Sequence, residues 1–387
     1  MKRFYGCLKG ILIVGTGLVC SSLAYANDQD ALAFSASAQH LFDSNFLRSP
    51  DEIEEQITRF GAGIRFNKRI SAQLISLAVS GNQYRYAEQT QLDASALEGQ
   101  ASWQSRFTSN VSSRLEFKRE ETPVDKLEFI GKDLVAKETT NAQLSLGDSK
   151  RVGVIVGFHQ MDITHSNQER SNLDLEDRDY FSELRYRFAS TSWIGLRYRE
   201  GERRYVITNL ALGGLDFDYR QLELETAWVI SPKTKLTGQV GYFDRKAVSG
   251  EDNINDGDGN LASLTLDWAI TEKLNSQLTY RFSQPAIGET SDAPSEVSDS
   301  QLIFQWLVKP KVKIGFGGSY AELLYEDSAV IVGRTERNIT FSPLLIDWAY
   351  SDAMSVRFNS QWMDRRSPLF ERDYQGYSAG VALAFRF

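Results

Sequence analysis

Along most of this chain apolar side chains recur at every second position, and no long helical stripe of 3.6-residue period interrupts them. Near the C-terminus Tyr377, Ala379, Val381, Leu383, Phe385 and Phe387 share one side of an extended segment. Ser378, Gly380, Ala382, Ala384 and Arg386 share the other, because side chains alternate across a strand. Leu222, Leu224, Trp228 and Ile230 likewise oppose Glu223, Glu225 and Ala227, and Leu264, Leu266, Trp268 and Ile270 oppose Ser263, Thr265 and Asp267. Leu274, Leu278, Tyr280 and Phe282 oppose Asn275, Gln277, Thr279 and Arg281. A greasy face against a small or polar one suits a transmembrane barrel, whose outside is lipid and whose lumen is wet. An amphipathic edge strand of a soluble sheet alternates in the same way, so other signals must decide.

The spacing of turns decides. Short turns fall at 67–69, 107–110, 147–150, 189–191, 231–233, 271–273, 309–311 and 351–352, about forty residues apart. Longer polar loops fall near 41–55, 87–92, 122–133, 166–176, 201–216, 247–260, 284–296, 327–335 and 367–372. Eight turns and nine loops predict eighteen strands, with sixteen the alternative, in an all-β, antiparallel up-and-down barrel. A propeller blade needs four short strands per period, whereas each period here holds two of roughly ten to fourteen residues. Trp228, Trp268, Trp306 and Trp348 each lie three residues before a short turn, and Trp103 lies four before one. Indole rings favour the membrane–water interface, so these five predict an aromatic girdle on the periplasmic side. An Arg or Lys facing lipid at midplane costs about 2–4 kcal/mol, which places the polar parity inside.

The first 26 residues read as a cleaved secretory signal: Lys2, Arg3 and Lys9, an apolar run from Ile11, then Ala24, Tyr25 and Ala26. Residues 27–387 would then form the barrel as one domain. Cys20 raises a lipoprotein alternative, but Val19 precedes it where a small residue is expected. Both cysteines, Cys7 and Cys20, lie in the leader, so the expected mature chain has no disulfide. Losing Lys2, Arg3 and Lys9 takes the formal charge from −8 to −11, which argues against nucleic-acid binding. No later stretch is long and apolar enough for a membrane helix.

A barrel of sixteen to eighteen strands is wide enough for an aqueous channel. Parity puts Glu183, Arg185, Arg187, Arg197, Arg199, Glu223, Glu225 and Arg281 in the lumen. A basic ladder beside an acidic one could set a transverse field that tunes selectivity; equally, the charges could simply pair with one another. Phe217, Tyr219 and Phe243 are the inward aromatics that could give a sugar a stacking surface. Loop 201–216 is the most apolar, and it reads either as a gate folded into the mouth or as a hairpin extension above the membrane. The acidic run Glu251–Asn260 misses EF-hand spacing, since position three from Asp252 is Ile254 and position twelve is Ser263. Among His40, His159 and His165 none has metal-ligand spacing, and nothing marks a nucleophile, so no catalytic residue, metal or cofactor is expected.

The opening segments Ala31–Ser35 and Asp43–Arg48, with Tyr84–Tyr86, Leu196–Gly201 and Gly241–Arg245, resemble the outer-membrane barrels of exopolysaccharide biosynthesis clusters, the exosortase-associated EpsL type. That resemblance implies passage of secreted polysaccharide across the outer membrane of a Gram-negative bacterium, with periplasmic polysaccharide export proteins as partners. Phe385 and Phe387 resemble the C-terminal signal read by the barrel-assembly machinery. Bare periodicity leaves two other readings open: a general diffusion porin for small solutes, and an outer-membrane enzyme or glycan-anchoring surface protein.

Overall fold

The computed structural model describes residues 31–147, 150–189, 191–206, 214–248, 255–326 and 333–387. The expected leader at 1–26, the apolar centre of loop 201–216 at 207–213 and the acidic residues 251–254 lie outside them.

Eighteen antiparallel strands close on themselves. They are β1 (Leu32–Asp43), β2 (Glu55–Ile70), β3 (Gln73–Tyr86), β4 (Ala94–Thr108), β5 (Val111–Pro123) and β6 (Leu134–Leu146). Then come β7 (Val152–His165), β8 (Leu175–Arg187), β9 (Trp193–Tyr205), β10 (Phe217–Ser231), β11 (Thr234–Ala247) and β12 (Gly257–Ala269). The circuit ends with β13 (Leu274–Ser283), β14 (Glu296–Lys309), β15 (Val312–Tyr325), β16 (Arg334–Ala349), β17 (Met354–Arg366) and β18 (Tyr374–Arg386). Each strand pairs with its sequence neighbours, and β18 closes on β1 through Ser35↔Arg386 to Asp43↔Ser378. Closure leaves no unpaired edge, which hydrocarbon could not solvate.

The apolar parity faces out. Val79, Leu196, Leu224, Val240 and Leu302 are all well exposed in the isolated chain, as side chains that meet lipid must be. Trp228, Trp268, Trp306 and Trp348 pair with Leu236, Ser276, Ile314 and Val356, in each case the third residue of the returning strand. Four indoles therefore stand at one height. Trp103 pairs with Leu115, one outward-facing position higher on β5. A second aromatic level appears toward the long loops, where Phe341, Trp362 and Tyr377 stand side by side across β16–β18.

Two details depart from the simplest expectation. Gly201–Tyr205 belongs to β9 rather than to a loop, with Glu202 paired to both Arg178 and Asp218. The register of β16 against β17 slips between Phe341 and Leu344, around Pro343. Proline cannot donate to the ladder, so a strand that contains one bulges there.

Candidate functional site: the lumen and its mouth

Strands β7–β10 build one crowded wall. Period-two alternation aims Asp177, Asp179 and Glu183 of β8, Arg197, Arg199 and Arg203 of β9, and Glu223 and Glu225 of β10 at the same space. Register then makes them partners. Arg197 reaches Glu183 at 2.8 Å and Glu225 at 2.7 Å, and Arg185 reaches Glu183 at 2.6 Å. Arg199 meets Asp179 at 2.9 Å, and Arg203 meets Asp177 at 2.8 Å. Glu183 and Glu223 are each only 1% exposed. The charges predicted to make a transverse field are thus largely spent on one another within the wall. Arg187 leaves this group and donates to the Gly147 and Lys150 carbonyls of the periplasmic turn. Arg281 stands across from Asp299 on β13 and β14, outside this wall.

The inward aromatics are not open platforms. Phe217 and Phe243 are buried, with the Arg245 guanidinium 5.4 and 4.3 Å from their ring centroids. Tyr219 donates its hydroxyl to Asp177 at 2.9 Å. His159, Asp177 and Asp179 come together closely enough to hold a cation, but Arg203 and Arg199 already engage both carboxylates. His159 itself lies 3.0 Å from Asp179.

Around the rest of the lumen, β12–β18 present Thr265, Thr279, Gln301, Ser319, Thr340 and Gln361 at inward positions. Hydroxyls and amides accept and donate without carrying charge. Charges on this arc are paired as well: Arg357 meets Asp347 at 2.6 Å, and Arg334 meets Glu336 at 3.2 Å.

Sequence reasoning missed what happens at the mouth. The segment joining β13 to β14, residues 284–295, crosses toward β9 rather than standing above the rim. Tyr205 of β9 donates to the Ile287 carbonyl at 3.1 Å, and Asn255 exchanges two hydrogen bonds with the Ile287 backbone. Arg203 pairs with Glu289, and Arg245 donates to the Gln284 carbonyl at 2.6 Å. On the opposite flank Asp292 pairs with Arg334 at the start of β16, and Arg372 lies 3.6 Å away. Gly288 makes this docking possible. Its φ is +95°, and a Cβ there would sit 2.8 Å from the Tyr205 ring and 2.9 Å from Leu215.

Two further loops meet it. Arg170, from the β7–β8 connection, is 3% exposed and donates to Ser291 at 3.2 Å. The same guanidinium pairs with Glu128 and with Asp133 at 3.1 Å, both on the β5–β6 connection. One arginine thus joins three connections that are far apart in sequence. Burial pushes the Glu289 carboxyl up, but the Arg203 guanidinium and the Ala286 amide outweigh it and hold it below the ordinary range. Asp125 goes the other way, raised by burial against the pull of Arg48.

A closed eighteen-stranded cylinder with an apolar exterior, aromatic levels and a polar interior is a Gram-negative outer-membrane β-barrel. No family model and no curated protein matches the chain. Solved structures do. OccK2 (OpdF) of Pseudomonas aeruginosa aligns with a TM-score of 0.53 at 12% identity, over 92% of this chain and 97% of its own. The outer membrane protein OpdK of Pseudomonas aeruginosa gives 0.51 at 10% identity, over 92% and 99%. OpdQ of Pseudomonas aeruginosa gives 0.52 at 8% identity, over 92% and 98%. At these identities the likeness is one of fold.

Proposed function

We propose that this barrel is a passive channel for small polar solutes across the outer membrane. The pairing of the lumenal charges with one another carries this reading. A lumen whose charges pair internally, interspersed with hydroxyls and amides, offers a wet path. Loops 124–133, 166–174 and 284–295 narrow the entrance, which sets a size limit. OpdK, which shares the fold, has been solved with vanillate, a small molecule. Liposome swelling tests the proposal. Proteoliposomes should swell in small sugars and amino acids and remain unswollen in long oligosaccharides; absence of swelling in every solute would refute it.

The resemblance to exopolysaccharide barrels gives a second reading, export of a glycan chain. The three joined loops lie in the path of such a polymer, which is why solute diffusion is preferred. Deletion of the gene separates the two. Loss of surface glycan with normal solute uptake would favour export, and reduced solute uptake with intact glycan would favour diffusion.

A further inference from the structure

Three successive periplasmic turns repeat one spacing. Trp228, Trp268 and Trp306 are each followed five residues later by a lysine, at Lys233, Lys273 and Lys311. These lysines lie in the short connections β10–β11, β12–β13 and β14–β15, and Lys309, the last residue of β14, adds a fourth. Backbone hydrogen bonds set the turns side by side. The Ala269 amide donates to the Lys233 carbonyl at 2.8 Å, the Leu307 amide to the Lys273 carbonyl at 2.7 Å, and the Ala349 amide to the Lys311 carbonyl at 2.8 Å. Successive turns are therefore two strands apart, on the order of 10 Å. All four lysines are exposed, and none forms an ion pair with a described residue.

Charge elsewhere is arranged differently. On the outer surface toward the long loops, Arg220 meets Glu200 at 3.1 Å and Arg337 meets Glu322 at 3.2 Å, so exposed bases there have acidic partners. Lys235 and Lys313, two residues beyond Lys233 and Lys311, face the lumen across from Asp267 and Asp347. Around the turn lysines the acids are Glu272, beside Lys273, and Asp352, one turn further on. The arc is thus positive on a chain whose formal charge is −8. Its depth follows from the indoles, each three residues before its turn. At about 3.3 Å per residue and a strand tilt of about 40°, the turns lie about 8 Å beyond the indole level. Indoles mark the boundary between hydrocarbon and headgroups, and the headgroup layer is about 5–8 Å thick. The lysines therefore stand level with lipid phosphates.

We infer that this arc is an electrostatic seat for anionic phospholipids of the inner leaflet, selecting phosphatidylglycerol-type headgroups over zwitterionic ones. Each lysine takes its own phosphate, so the side chains need not converge on one anion. A lysine at such a boundary lays its methylenes along apolar surface while its ammonium reaches the headgroups. Anionic lipid held there fixes the height of β10–β15 in the membrane, whatever passes through the lumen.

Intrinsic tryptophan fluorescence reads the lipid beside the arc. The purified barrel is refolded into vesicles containing either phosphatidylglycerol or phosphatidylcholine brominated near the headgroup, at equal mole fraction. Wild type should be quenched about twofold more strongly by the brominated phosphatidylglycerol, and about 0.5 M potassium chloride should shrink the difference. Lys233→Gln with Lys273→Gln and Lys311→Gln should bring the two lipids to equal quenching, whereas arginine at the same three positions should keep the preference. Heat-modifiable gel migration checks that each variant is folded. Equal quenching by the two lipids in wild type, or an unchanged preference in the folded glutamine variant, overturns the seat. Wild type that shows no lipid preference but binds soluble polyglutamate through the same lysines also overturns it, and assigns the arc to an acidic periplasmic protein.

Discussion

Replacing Glu289 by Gln should loosen the segment that narrows the mouth. The carboxylate pairs with Arg203, and their side chains are 29% and 14% exposed, so water screens the pair only in part. The substitution is nearly isosteric, and Arg203 keeps Asp177 at 2.8 Å, so no buried charge is abandoned. What disappears is one charge-assisted contact of about 2 kcal/mol, within the range of hydrogen bonds to charged groups. That corresponds to about a thirtyfold change in the balance between docked and undocked segment. Tyr205, Asn255 and Arg334 still hold the segment, so the expected result is flicker rather than permanent opening. Single-channel recording should show open-level excursions with a frequency raised by at least about tenfold over wild type. If Glu289→Gln gives a dwell-time distribution identical to wild type in a folded barrel, residues 284–295 do not control the entrance.

Acid should act on the same contact. Glu289 titrates below the ordinary glutamate value of 4.5, so its contribution is complete at neutral pH and is lost as pH falls through the depressed value. Asp125, raised by burial, acts oppositely and favours its own loop as it takes up a proton. Conductance measured from pH 7 downward should therefore grow noisy only below about 4.5, and Glu289→Gln should remove that step. Arg170→Met removes the side chain shared by three connections; on intact cells, protease cleavage within 124–133 should rise several-fold, and unchanged cleavage would deny Arg170 that role. At the membrane surface, Leu224→Arg should destabilise the folded barrel by about 2–4 kcal/mol in urea titrations. The inward Thr265→Arg should cost less than about 1 kcal/mol, and equal costs would contradict the assigned faces.

Strand number, turn positions and the facing of nearly every side chain were legible in the sequence, because period-two alternation survives wherever one face meets lipid and the other water. The tryptophans were legible for a related reason: an indole's preferred depth is a property of the residue itself. Partners within the wall were not. Parity placed Glu183 and Arg197 in the same lumen, but only register decides that they touch, and a slip such as the one at Pro343 shows how readily register shifts. The narrowing loop was harder still. Loop 201–216 drew attention through its apolar content, yet the loop that crosses the lumen among the described residues is 284–295. Its anchors Tyr205, Arg203 and Arg170 lie more than eighty residues away in sequence, and each makes sense only after closure of the barrel. Pro285, Ala286 and Ile287, apolar residues inside a polar loop and followed by Gly288, were the available clue.

With Cys7 and Cys20 replaced by Ser, single introduced cysteines report which faces meet water. Ser319→Cys lies at an inward, lumenal position, and Leu302→Cys lies on the apolar exterior. In a conducting bilayer, a charged thiol reagent that cannot enter lipid should modify Ser319→Cys and reduce its current stepwise, leaving Leu302→Cys untouched. A current unaffected at Ser319→Cys, or rapid modification at Leu302→Cys, would contradict a water-filled passage inside these eighteen strands.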